Sequence, residues 1–473
     1  MNFIIVDLVL LVIFVAFVSI FLYKKRRNLG KEGALFLYRT KWGIKLINKI
    51  GTKYKKTLHS LSYVSIGLGY LLMVSMFYLI IQTVYLYLTS PLVQIIKAPP
   101  VAPLIPYFPK LFGLTSYFPP FYFVYFIVAV LIVATVHEFS HGIFARRYDI
   151  KIRSTGFAFF KYFPAVLGAF VEQDETDMKK TKKIPQMGVL SAGVFANTLT
   201  AIFFYIVLFI FFSLTFVASG VSYNYYAYAP VNVSEITSVN GIPLENPSYD
   251  KIIELTNEGG LNEITTSDES FLTTKEFLSE QEKNSGFVVL YYDSPAIKEE
   301  ISPVIGKING VTIKDIDVLR EELEKYSPGD KIMITSLTDE QFVEKEITLG
   351  ENPGKEGAAW LGIGFINSEG RGIAGKIIKI VPSYKKEYVY YEAKTDFYLF
   401  IKDLLWWIVL INILVALFNM LPVGFLDGGR FFYLTIWGLT KSENKARKSF
   451  AIATYFLLFL LILLMLKWIF SFF

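Results

Sequence analysis

The sequence predicts a polytopic α-helical membrane protein of about six transmembrane helices, with a re-entrant or surface β-hairpin and an inserted soluble α+β region. Three observations predict it. Mean hydropathy is +0.44, and hydrophobic residues make up 53% of the chain against 19% charged. Six stretches, near 3–23, 61–88, 121–145, 188–219, 400–426 and 450–471, have the roughly 20 apolar residues that cross a bilayer. The short connections between them alternate in basic charge, which assigns every one of them to a side consistently.

Taken in order, the first span ends in Lys24-Lys25-Arg26-Arg27 and reads as a membrane anchor rather than a cleavable leader. The connection 24–60 is rich in Lys and Arg with one acid, Glu32, so the positive-inside rule makes it cytoplasmic and the N-terminus external. The Pro- and aromatic-rich connection 89–120 falls outside. The loop 146–187 returns to Arg146, Arg147, Lys179, Lys180, Lys182 and Lys183 and falls inside. Within it, YDIKIRSTGFAFFKYFPAVLGAFVEQDE has glycines and β-prone pieces without a helical stripe, as a hairpin at the membrane surface or one re-entering a cavity would. Alternation then places 220–399 and the C-terminus outside and 430–448 inside. The expected location is the cell membrane. The expected organisation is 1–120 (a pair of spans with the basic loop), 121–219 and 400–473 (two halves of one membrane core), and 220–399 (the insert).

The insert is acidic and Ser/Thr-rich, with strand patterns such as FVVLYY and KIMIT. Two phrases, ITSVNG at 236–241 and IGKING at 305–310, stand 69 residues apart, the spacing of a small repeated module. The second opens a run of strand, Asn-Gly turn, helix within Lys314–Tyr326, Pro-Gly-Asp turn and strand. This run, following SPA, resembles the PDZ domains attached to membrane and periplasmic proteases. LGIGF at 361–365 is either its binding loop or a closing strand, and the count of modules, one or two, stays open.

Composition excludes much. Without cysteine there are no disulfides and no thiolate metal sites, so any metal must be held by His, Asp or Glu. The net charge of +6 is modest and lies beside the spans, which reads as membrane orientation and no nucleic-acid binding. Yet the third span ends LIVATVHEFSHGIFARR, placing two of the three histidines and a glutamate where ionisable groups are costly. Positions four apart on a helix differ by about 40°, so His137 and His141 face the same way and can reach one divalent ion. Glu138 between them completes the H-E-x-x-H pattern of two zinc ligands and a general base. His59 stands alone and reads as an interfacial residue. A catalytic zinc takes three protein ligands, so the third must be a carboxylate. Asp427, in FNMLPVGFLDGGRFF, is the single acid between Asp403 and Glu443 and sits among helix breakers near the same inner face.

HEFSH in a span, GVFAN in the next, a PDZ-like insert and NMLPVGFLDGG together resemble the site-2 protease family of intramembrane zinc metalloproteases, over roughly 121–473. Asn419, Pro422, Leu426, Asp427 and Gly428 match its N-x-x-P-x-x-x-L-D-G motif position by position; a second proline common there is absent. The resemblance implies one Zn2+ held by His137, His141 and Asp427, with Glu138 as general base. It implies for Asn419 a part in substrate positioning or the oxyanion. Gly193 and Asn197 match its G-x-x-x-N pattern, for which a substrate-positioning asparagine and a helix-packing pair are both open. The implied activity is cleavage of a single-pass transmembrane partner within the bilayer, for regulated intramembrane proteolysis, with the PDZ-like part taking a peptide terminus. A metal-binding transporter or receptor, and an inactive PDZ scaffold, are the rival readings.

Overall fold

The computed structural model describes residues 3–89, 99–100, 104–115, 117–162, 167–281, 286–339, 341–366 and 383–470. Part of the Pro-rich connection, residues 163–166 and residues 367–382 of the insert lie outside them. The chain resolves into two units, residues 1–212 with 396–473, and residues 213–395.

In the first unit, six helices among the described residues are long and apolar enough to cross a membrane. They are α1 (Phe3–Lys25), α3 (Lys55–Thr89), α4 (Phe123–Arg147), α6 (Lys183–Thr215), α9 (Asp396–Asn419) and α11 (Glu443–Phe470). Shorter helices α2 (Ile44–Lys53), α5 (Glu175–Lys180) and α10 (Asp427–Thr440) join them. Two spans end earlier than the sequence predicts. The fourth ends at Thr215, because Phe216–Ser222 is drawn into a sheet against Val389–Ala393. The fifth ends at Asn419, because Pro422 and Gly424 cannot continue it.

Helices that face lipid gain little from burying apolar side chains, so small residues and hydrogen bonds decide where they meet. Ser65 of α3 meets Ser191 of α6 at 2.9 Å, and Tyr70 of α3 meets Thr435 of α10 at 2.9 Å. Trp407 of α9 is fully buried among Phe108, Phe118 and Phe121, and its indole N–H donates to the Pro120 carbonyl. The first span is tied down by its one carboxylate. Asp7 is fully buried and accepts the backbone N–H groups of Phe123 at 2.7 Å and Val124 at 3.1 Å. These are free donors of the first turn of α4, so Asp7 caps that helix from a neighbouring one.

The basic connection after α1 does more than link two spans. Strands β1 (Leu29–Glu32) and β2 (Leu35–Thr40) form a hairpin that extends β3 (Ile152–Phe160) and β4 (Leu167–Gln173) into one antiparallel sheet, in the order β1-β2-β3-β4. Among the described residues that leaves β4 as an edge, and β4 lies against α4.

The second unit repeats itself. Ile236–Val239, an Asn240-Gly241 turn, Ile242–Pro243, helix α7 (Tyr249–Leu255) and the paired strands Asn262–Thr266 and Ser270–Thr273 follow in order. Val304–Ile308, Asn309-Gly310, Val311–Thr312, helix α8 (Ile316–Leu323) and the strands Lys331–Thr338 and Gln341–Thr348 repeat the series. Both turns have positive φ at both residues, as the type I′ hairpin requires. Each asparagine also exchanges two hydrogen bonds with the next long strand, Asn240 with Glu263 and Asn309 with Met333. The 69-residue spacing of the two phrases is thus a repeat of structure.

Candidate metal centre

Helix α4 is apolar over most of its length, and near its C-terminal end His137 and His141 are 7% and 6% exposed. One turn apart, their rings stand edge to face with centroids 4.6 Å apart. His141 is fixed by its backbone partner: Nδ1 lies 2.7 Å from the carbonyl of Val189. A carbonyl only accepts, so Nδ1 carries the proton and the Nε2 lone pair is left for the site.

Asp427 arrives from the other half of the unit. After α9 the chain folds back through residues 420–426 and restarts as α10, whose first residue is Asp427. The fold-back is tight at Gly428, where a Cβ would lie 2.3 Å from the Met420 carbonyl carbon and oxygen. One Asp427 oxygen, Oδ2, stands 3.1 Å from both His137 Nε2 and His141 Nε2.

The three donors fit a zinc ion. They are two imidazoles and a carboxylate, a catalytic-type set, with ligand atoms all within 4.8 Å of one another. Zinc–ligand bonds of about 2.1 Å put tetrahedral neighbours about 3.4 Å apart, close to the separations here. Space has been kept for the ion: a Cβ at Gly193 would stand 2.6 Å from His137 Nε2 and 2.5 Å from His141 Nε2. Any side chain at 193 would occupy the volume between the two ring nitrogens.

Glu138 is held beside them by β4, whose Val171 N–H donates to its Oε2 at 3.0 Å. All four residues open onto a cavity of 670 Å³. Its apolar wall comes from α4 and α9 through Val130, Val133, Ala134, Ile411 and Val415, and its polar wall from Arg153, Glu172, Gln173 and Arg430. The Ser154 hydroxyl, followed by the Arg39 guanidinium, holds the Glu172 carboxyl below its ordinary range. Arg430 closes one side through Gln186 at 3.1 Å.

The other expected residues divide. Asn419, the last residue of α9, lines the cavity. Asn197 is fully buried behind His137, with Nδ2 3.1 Å from its Nδ1. His59 stays apart, packed edge-on against Tyr63. Sequence reasoning missed Val171 and Asp7. Val171 acts through its backbone, which no residue type announces. Asp7 had a signal, being the one charged side chain between Met1 and Lys24.

Against known proteins, the model of a family described as Peptidase family M50 matches residues 125–464, well over half the chain. An uncharacterized protein of Methanocaldococcus jannaschii is 32% identical over 193 residues, 40% of this chain and 47% of the relative. The chain therefore spans about half the length of the curated relative it matches.

Proposed function

Because the chain belongs to peptidase family M50, the site-2 protease family of membrane zinc metalloproteases, we propose that it hydrolyses a peptide bond within or near the transmembrane segment of a single-pass partner protein. The observation that carries this reading is the meeting of His137, Glu138 and His141 with Asp427, 290 residues away in the chain. His137, His141 and Asp427 would hold the metal. Zinc bound there supplies Lewis acidity and a water acidic enough to ionise near pH 7.

The chain's own groups do the rest. Glu138, oriented by the Val171 N–H, takes the proton of the attacking water and passes it to the leaving amine. The walls of Val130, Val133, Ile411 and Val415 accept apolar substrate side chains, while Arg153, Glu172 and Arg430 suit the charged flank where a transmembrane segment leaves the bilayer. A helix hides its carbonyls in hydrogen bonds, so the substrate must be unwound before attack, and the free edge of β4 suits an extended backbone. Asn419, on the cavity wall, is placed to steady the substrate carbonyl or its oxyanion.

The positive-inside pattern supports an active site near the cytoplasmic face of the cell membrane, with residues 220–399 and both termini outside. The two repeats of the insert support two PDZ-like modules, which would take a peptide terminus of the partner; release of a cytoplasmic fragment would serve regulated intramembrane proteolysis. The deciding experiment is Glu138→Gln in the full chain. Cleavage of a model membrane substrate is expected to vanish while bound zinc persists. Retained cleavage, or a wild-type protein without zinc, sinks the proposal.

A further inference from the structure

The two metal-facing imidazoles are not held alike. His141 Nδ1 meets a carbonyl, which settles its proton. His137 Nδ1 meets a carboxamide, which can present either an oxygen or an NH2 group. The side chain is Asn197, fully buried, and its Oδ1 has no hydrogen-bond partner among the described residues.

The metal decides which face must be shown. A neutral imidazole carries one ring proton, and a Nε2 lone pair directed at zinc requires that proton on Nδ1. An Nδ1–H needs an acceptor, and Asn197 is the partner within reach. An amide NH2 turned to Nδ1 would favour the opposite tautomer, with the proton on Nε2, where it would point at Asp427 and block ligation. We infer that Asn197 is a positioning residue of the metal centre, whose Oδ1 accepts the His137 Nδ1–H and fixes the tautomer that leaves Nε2 open to zinc. This rests on the zinc reading above.

The inference gives the G-x-x-x-N spacing a physical meaning. Residues 193 and 197 are one turn apart on α6, so they share a face. Gly193 leaves room at the Nε2 end of the His137 ring, and Asn197 holds its Nδ1 end. An amide suits the depth better than a carboxylate, because it accepts the same hydrogen bond without bringing a second charge into a membrane helix.

The test is zinc affinity of the full chain in detergent, measured by chelator competition, with the apo protein's thermal transition as a folding control. Asn197→Leu keeps the volume and removes the acceptor; zinc is expected to bind about 10–100-fold more weakly with the apo transition in place. Asn197→Asp can only accept, and it is expected to keep zinc at the wild-type level. Wild-type affinity in Asn197→Leu overturns the inference, and so does loss of zinc in a folded Asn197→Asp. If Asn197→Leu fails to fold, Asn197→Ala removes the acceptor without adding an apolar branch, and the same loss of zinc affinity is expected of it. A wild-type chain that binds no zinc overturns the metal reading itself, a result distinct from either variant's.

Discussion

Gly193→Ala sets two effects of opposite sign against each other. In a helix interior alanine is favoured over glycine by about 1 kcal/mol, so helix propensity alone makes the variant more stable. At this position, however, the new methyl would stand 2.5 Å from His137 Cε1, 2.5 Å from His141 Nε2 and 2.6 Å from His137 Nε2. Ordinary van der Waals contact begins at 3.4 Å, so both rings must withdraw by roughly 1 Å. Metal ligation tolerates about 0.2 Å. Two ligands displaced well beyond that tolerance should cost zinc affinity at least as much as a lost supporting hydrogen bond, about 100-fold or 2.7 kcal/mol. The assay pairs a zinc competition titration with thermal unfolding of the apo protein. The expected outcome is zinc binding weakened by about 100-fold or more while the apo protein still unfolds in a cooperative transition. Wild-type affinity in Gly193→Ala would refute the claim that residue 193 borders the ion.

Further outcomes follow from other contacts. Asp427→Ala removes the oxygen that both imidazoles face, and bound zinc should fall below detection by elemental analysis; unchanged metal content would exclude Asp427 as a ligand. Asp7→Ala leaves two N–H groups at the start of α4 without acceptors. This should lower stability by about 1–3 kcal/mol per donor in thermal unfolding, and an unchanged transition would argue against the cap. Val171→Pro deletes the N–H that holds Glu138, on an edge strand where proline is tolerated. Cleavage should drop about tenfold or more with zinc content intact, and undiminished turnover would make that hydrogen bond irrelevant. Glu172 is held below its ordinary carboxylate range when folded, so its contribution to stability is present above that range and lost as pH falls through the folded value. Glu172→Gln should flatten the acid limb of the stability profile; an identical acid limb in wild type and variant would contradict this.

The residues of the candidate site are the legible ones, for a physical reason. A charged or imidazole group in an apolar span is expensive, so each one stands out, and a four-residue offset fixes which of them share a face. Cost and offset together join His137, His141 and Asp427 across 290 residues from the amino-acid pattern alone. Helix ends are less legible. Phe216–Ser222 continues the chain of the span with mostly small and apolar residues, and its pairing with Val304–Ile308 and Val389–Ala393 makes it a strand. The β1–β2 hairpin is hidden in the same way: its basic residues announce a side of the membrane, while its pairing to β3 depends on a segment over a hundred residues later. The repeat in the second unit shows as two matching phrases, because the Asn-Gly turn demands residue types that accept positive φ. Asn197 is visible through its motif. Its position behind the ring, rather than on the cavity wall, is a matter of packing that spacing alone does not encode.

The hydrogen on Val171 nitrogen is a single proton with two possible claimants. In the structure it belongs to Glu138. An extended chain that pairs with the β4 edge at that residue would claim the same proton for one of its carbonyls. Under the proposed function Glu138 keeps that proton in order to act, so an extended substrate would pair with β4 on either side of Val171 and leave its N–H to the base. Val171 would then be a gap in the ladder, and the gap would set the register in which the segment lies along the edge.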